Sequence, residues 1–252
     1  AVPVLAMLVR LEIKVGDFDR ALLHSQRIRE VYPELFLGYE LAGDSHMASG
    51  RFDEADREYL QAWERMQSPG LLIKRSENAN RAGKADVAIG LLQDWLQLHT
   101  DDAEVAQFLG NSLQNAGRVR EAAAVYEKVI AIEPENAVAL NNLAGLYMAD
   151  GRPGALELAK RAWLVDEGNP GIQDTYGWAL VQAGRVGRGL ELLRQASKEL
   201  PNIPEVSYHH AVALYRAGDK QEARRLLAEL LRKHERFDGR EDAEQLMAGD
   251  GG

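Results

Sequence analysis

The stretch Ala103–Asn136, AEVAQFLGNSLQNAGRVREAAAVYEKVIAIEPEN, decides the fold. Gly117 divides it into two apolar-periodic halves, Ala122 follows five residues later, and Pro134 closes it seventeen residues after the glycine. The same punctuation recurs on both sides. Gly16, Gly50, Gly83, Gly117, Gly151, Gly184 and Gly218 are separated by 34, 33, 34, 34, 33 and 34 residues. A small residue follows each at the same offset: Ala21, Ala55, Ala88, Ala122, Gly189 and Ala223, with Ala155 one place early. Pro33, Pro134 and Pro201 recur near the ends of copies, Pro69 and Pro170 are slightly displaced, and Thr100 and Glu235 stand where the third and seventh copies lack a proline.

Each mark has a physical reason. Glycine tolerates the left-handed backbone that ends a helix. A small residue lets the following helix approach closely, and proline stops a helix or starts the next one. Seven residues before the glycine lies another mostly small position, Gly43, Ser76, Gly110, Ala144, Gly177 and Ala211, where two helices of one copy cross. Val9 breaks this in the first copy and predicts looser packing there. Apolar residues such as Val125, Val129, Ile130 and Leu192, Leu193, Ala196 keep a helical period, and no useful strand alternation occurs.

The pattern resembles the tetratricopeptide repeat (TPR). The resemblance implies an all-α fold, a right-handed α-solenoid of about seven helix-turn-helix copies with a concave groove lined by the first helix of each. The copies fall at about 2–35, 36–68, 69–102, 103–136, 137–169, 170–203 and 204–237, making one array over 1–237. Residues 238–252 read as a capping helix, Glu241 to Met247, and a frayed tail from Ala248 to Gly252.

Composition narrows the function. At 46% hydrophobic residues the chain buries a core instead of remaining disordered. No apolar run reaches the ~20 residues of a membrane helix, so no membrane insertion is expected within this piece. Thirty basic against 39 acidic residues give a net charge of -9, which argues against nucleic acid as partner. Cysteine is absent, excluding disulfides, thiolate metal sites and a cysteine nucleophile. The opening Ala1-Val2-Pro3 has no initiator Met or leader, so the chain reads as a piece of a longer protein.

No catalytic constellation appears. The six histidines form no HExxH, and adjacent His209 and His210 point about 100° apart on a helix. Gly184-Arg185-Val186-Gly187-Arg188-Gly189 falls on the repeat's own turn, and Asp101-Asp102 precede a helix they can cap. The basic cluster Arg224, Arg225, Arg232, Lys233 and Arg236 reads as a solvated outer face. The chain is therefore expected to be no enzyme, without cofactor or metal.

The groove positions implied by the family lie about thirteen, ten, six, three and two residues before each glycine, and they give three zones. The first is charged: Arg10, Lys14, Glu40, Asp44, Glu77 and Arg81, with opposite signs interleaved so that they pair with each other. The second is amide-rich: Gln107, Asn111, Gln114, Asn115, Asn141 and, one place aside, Asn142. Amides can hold an extended peptide backbone or meet sugar hydroxyls; the competing reading has them satisfying neighbouring backbone groups. The third is aromatic with polar company: Asp174, Trp178, Gln182, Tyr208, Tyr215 and Arg216. Large amphipathic rings concentrate binding energy; the competing reading packs Trp178 and Tyr208 against each other between helices. Asn111 and Asn142 match the asparagines of the TPR subclass that clamps a C-terminal carboxylate. Gln107, Gly171 and Thr175 stand where its basic residues belong, so that clamp is not expected.

The succession Asp174-Thr175-Tyr176-Gly177-Trp178, Gly189 to Arg194 and Glu205 to Leu214 is similar to the C-terminal part of PrsT-type TPR lipoproteins of PEP-CTERM/exosortase exopolysaccharide systems. That resemblance implies an extracytoplasmic, envelope-located scaffold; without it the chain reads as cytoplasmic. The expected partner is a protein or peptide in the concave groove. Direct polysaccharide binding and self-association into a homo-oligomer are the alternatives.

Overall fold

The computed structural model describes residues 2–248. Among them are fifteen α-helices: α1 Val2–Val15, α2 Phe18–Val31, α3 Phe36–Ala48, α4 Phe52–Arg65, α5 Pro69–Arg81, α6 Ala85–Leu98, α7 Ala103–Asn115, α8 Val119–Ile132, α9 Ala137–Ala149, α10 Ala155–Val165, α11 Pro170–Gln182, α12 Val186–Glu199, α13 Pro204–Ala217, α14 Lys220–Lys233 and α15 Arg240–Ala248. The described residues form no strand. The expected tail from Gly249 to Gly252 lies outside the described residues, and Ala248 closes α15.

The helices come as pairs, and the repeat glycine sits in the turn of each pair. All seven glycines have positive φ, from 63° at Gly151 to 96° at Gly218. At Gly50 the result is a closed helix end: its N–H donates to the Met47 carbonyl at 3.1 Å and the Arg51 N–H to the His46 carbonyl at 2.8 Å. Two orphan carbonyls of α3 are thereby satisfied. Asp17, Asp102, Asn136, Asn169 and Asp219 cap the following helices through their side chains. Pro69 and Pro170 occupy first helical turns, where no amide hydrogen is required.

Small residues set the crossings. A Cβ at Gly43 would stand 2.5 Å from the Tyr59 ring, and one at Gly189 would stand 2.7 Å from the Gly177 carbonyl. The alanines Ala21, Ala55, Ala88, Ala122 and Ala223 are fully buried. The fifth copy differs. There Pro153 and Gly154 replace the first turn of the second helix, so α10 starts late and Ala155 is its half-buried first residue. Ala159 and Ala162 carry that crossing instead. The looser packing expected at Val9 is not found. Val9 is fully buried with Ala6, Ala21, Ile28 and Leu41, because small Ala21 opposite leaves room for the larger side chain.

The contacts divide the chain into two compact units, Ala1–Val125 and Tyr126–Gly252. In the first, α1 packs on α3 and α5 on α7; in the second, α11 packs on both α9 and α13. The even-numbered helices α2, α4, α6, α10, α12 and α14 make their substantial contacts with odd-numbered ones. Odd helices therefore lie closer together, and within each unit their free side is the inner face. No helix among the described residues is long and apolar enough to cross a membrane.

Candidate functional site

On the first unit's inner face one lysine is shared by two carboxylates. Lys74 Nζ lies 2.5 Å from Glu40 Oε1 and 2.7 Å from Asp44 Oδ2, and the Tyr59 hydroxyl donates to Asp44 Oδ1 at 2.8 Å. Burial works against the Lys74 charge, but Asp44 and then Glu40 outweigh it and raise the ammonium pKa. Burial, reinforced by Asp44, raises that of Tyr59. The six residues were expected to pair with each other, but Glu40 and Asp44 pair instead with Lys74, which the position rule passed over. Arg10, Lys14, Glu77 and Arg81 stay exposed, with the Arg81 guanidinium over the Phe52 ring.

The amide zone falls on α7 in the first unit and on α9 in the second. On α7, Gln107 and Asn111 are half-buried while Gln114 and Asn115 are exposed. On α9, Asn142 donates to the Tyr126 hydroxyl of α8 at 3.2 Å, a side chain and not the backbone group of the competing reading. Asn141 donates to Asn142 Oδ1 at 3.5 Å, while its own Oδ1 is buried with no hydrogen-bond partner. A buried acceptor of this kind needs a donor from water or a ligand.

The aromatic zone is the organised one. Asp174 on α11 is 7% exposed, and its carboxylate meets His209 Nδ1 of α13 at 2.9 and 3.1 Å. This contact holds the imidazole flat against the Trp178 indole, with ring centroids 4.4 Å apart and planes 16° from parallel. The Arg216 guanidinium stands 5.7 Å from the Trp178 ring and donates to the Val181 carbonyl at 3.3 Å. Trp178 is half-buried and Gln182 exposed. Tyr208 lies 6.0 Å from Trp178, as the competing reading has it, but it is 6% exposed. Its hydroxyl donates to Asp242 of α15 at 3.3 Å, and burial, then Asp242, pushes its pKa up to about 12.

Two residues expected to touch a partner therefore hold the site from behind. Asp174 and Tyr208 stand ten residues before their glycines, and in α11 and α13 that position faces the next odd helix. His209 is the residue the position rule missed, since it lies one place further on. Asp242, Gln245 and Leu246 were missed as well. With Tyr208, Val212, Tyr215 and Arg216 they line a pocket of about 380 Å³. The repeat period was the available signal, because Asp242 follows Tyr208, and Leu246 follows Val212, by 34 residues.

The remaining candidates behave structurally. Asp102 caps α7 through the Val105 N–H and accepts from Trp95 Nε1 at 2.9 Å. Arg225 is held by Glu222, and Lys233 by Glu229. His210 faces away from His209, with Nδ1 3.1 Å from the Ser197 hydroxyl.

Helix pairs stacked through small-residue crossings define the class of helical-repeat scaffolds. Within that class the chain belongs to the tetratricopeptide repeat family, which matches over residues 45–236 and again over 6–70. It is 28% identical over 173 residues to the TPR repeat-containing protein PA4667 of Pseudomonas aeruginosa, covering 66% of this chain and 29% of that one. The chain thus spans under a third of that relative's length. Among solved structures, the Cut9–Hcn1 hetero-tetramer of the APC/C superposes with a TM-score of 0.72 at 16% identity over 96% of this chain and 48% of that one. MamA of Desulfovibrio magneticus RS-1 gives 0.55 at 19% identity over 65% and 93%. TTC0263 of Thermus thermophilus gives 0.54 at 17% over 71% and 99%. These likenesses show the all-α TPR solenoid. TPR proteins are generally non-catalytic scaffolds whose fold is typical of protein–protein interaction.

Proposed function

We propose that this protein binds an extended segment of a partner protein along the second unit's inner face, with Trp178 and His209 as its anchor. The observation that carries the reading is the Asp174–His209–Trp178 stack. A buried carboxylate fixes an imidazole on an indole, so a large amphipathic surface is rigid before any partner arrives. Preorganised aromatic surface of this kind costs little entropy to use. The unpartnered Asn141 Oδ1 adds an acceptor suited to a peptide N–H. The resemblance of the last third of the sequence to PrsT-type lipoproteins supports a setting in the bacterial envelope, alongside exopolysaccharide or surface-protein export.

The test is cross-linking of the protein bearing a photoreactive residue at Gln182, beside Trp178, followed by mass spectrometry of the captured peptides. One recurrent segment, lost with Trp178→Ala while the thermal melt is preserved, is the expected result. Retention of every partner by Trp178→Ala would overturn the assignment. Calorimetric titration showing a neutral or acidic polysaccharide bound, with no peptide captured, would move the face to glycan recognition.

A further inference from the structure

We infer that α15 is a working wall of the binding face, and that the pocket it forms with α13 selects an acidic peptide carrying an apolar side chain beside its carboxylate. The inference rests on the peptide-binding reading above and adds the chemistry of the bound segment.

The placement of α15 comes first. α15 seals the apolar end and leaves Glu241, Asp242, Glu244 and Gln245 exposed, and it does so in the register of an odd helix. Here Ala243 is fully buried in the cluster of Tyr208, Val212 and Leu227, with Leu246 and Met247 packed against it. A Cβ at Gly239, at the entrance to α15, would stand 2.3 Å from the Tyr208 ring. The Tyr208–Asp242 hydrogen bond spans 34 residues, the repeat's own period. Its counterpart one copy earlier is the His209–Asp174 contact, which spans 35. Thus α15 occupies the place of another odd helix, and the inner face continues onto it.

The pocket between α13 and α15 measures about 380 Å³. That lies near the lower end of the ~300–1,000 Å³ typical of ligand pockets, enough for one or two side chains. Val212 is 4% exposed, and with the Tyr208 ring and Leu246 it makes the lining apolar. An aliphatic or aromatic group gains from leaving water there. The rim is asymmetric. Asp242 is held by the Tyr208 hydroxyl. Arg216 is exposed, and its contacts are the Val181 carbonyl and the Trp178 ring, with no carboxylate paired to it among the described residues. In a chain of net charge -9, acidic groups are abundant and many arginines have one, as Arg29 has Glu58 and Arg225 has Glu222. An arginine left without one at the mouth of an apolar pocket is complementary to a ligand carboxylate, and its planar fork suits that group.

The test uses the full chain and an array of terminally blocked octapeptides centred on Leu-Glu or Phe-Asp. Matched peptides replace the acid by its amide or the apolar residue by Ala. Fluorescence anisotropy should show the acidic–apolar peptides binding, more weakly as salt rises, and both replacements weakening them. Arg216→Gln should weaken the acidic peptides by about tenfold or more and bring them level with their amide forms. Gln245→Trp, at an exposed rim position, fills the pocket from outside and should abolish binding of both without lowering the melt. Three results overturn the pocket assignment: Arg216→Gln preferring acid over amide as strongly as the wild type does, unchanged binding in Gln245→Trp, or no binding by any acidic–apolar peptide. If peptides bind and only Trp178→Ala removes them, the platform stands and the pocket falls. If all three variants bind as the wild type does, both readings fall.

Discussion

The inner faces of the two units solve the same problem in opposite ways. In the first, Lys74 gathers Glu40 and Asp44, Tyr59 completes Asp44, and the charges are spent within the protein. In the second, Asp174 is spent on His209, but the result is a half-open ring stack with Arg216 beside it. Both use a carboxylate, half-buried in the first and buried in the second, contacting the next odd helix. The difference is what the partner does with its other side: an ammonium held between two carboxylates has two of its three N–H donors engaged and offers little area, whereas an imidazole lying on an indole still presents a surface. On the proposed reading, binding capacity follows from unspent contact area, not from the number of charged residues.

Among changes to the two inner faces, Lys74→Met should be the most damaging for stability. It leaves Glu40 and Asp44, only 16% and 19% exposed, facing each other without a cation. Removing one partner of a buried pair costs about 3–5 kcal/mol, and partial exposure brings the expectation to about 2–3 kcal/mol. Urea denaturation measures it, and peptide binding to the second unit should not change. A loss below about 0.5 kcal/mol would show that Lys74 does not hold the two carboxylates as described.

Asp174→Asn tests the opposite face. The amide can still accept from His209, but the charge that orients the ring is gone. Partner affinity should fall about tenfold, or about 1.4 kcal/mol, with little change in melting. A fall in stability with unchanged affinity would make the pair structural and nothing more.

The glycine period made the fold legible, since each copy repeats a turn, a small crossing residue and a helix stop. Trp178, Tyr215 and Arg216 were legible by the same counting. His209 was not, because side chains one place apart on a helix diverge by about 100°, yet its ring stacks on Trp178 of the neighbouring odd helix. Lys74 was missed for the same reason. The role of α15 was hidden because it is nine residues long and no repeat glycine follows it within the described residues. Its offset of 34 from Tyr208 and Val212 is visible only once those residues are known to face it.

Acid sharpens the contrast at smaller scale. Burial, then Arg51, lowers the pKa of His46 in the first unit; burial, then Arg194, lowers that of His210 in the second, with Lys198 acting in the same sense and Glu222 opposing. A histidine with a depressed folded-state pKa binds fewer protons folded than unfolded. Its contribution is therefore fully present above its ordinary 6.5 and is lost as pH falls through the lowered value. Stability should decline as pH falls from about 6.5 to that lowered value and then level off, and His210→Gln should flatten the decline in the second unit's melt. An unchanged slope would place the acid sensitivity elsewhere.

The smallest expected effect comes from the two ends. Val4 and Leu11 stand twelve and five residues before Gly16, and they are 64% and 54% exposed. Their counterparts before Gly218, Val206 and Ala213, are 4% and 0% exposed because α12 packs over them. The same two positions of one repeat are thus solvent-facing on α1 and core on α13. Lysine at both Val4 and Leu11 should shift stability by no more than about 0.5 kcal/mol, since no packing is removed and the new charges remain in water. Lysine at Val206 alone should unfold the end of the second unit, as its ammonium would be buried against α12 without a partner. Comparing the two melts isolates what a covering helix contributes, because residue type and helical register are held nearly constant. A large loss from the α1 pair would mean that this face is covered in solution, and concentration-dependent light scattering of the parent and the double variant would then show whether a second copy covers it.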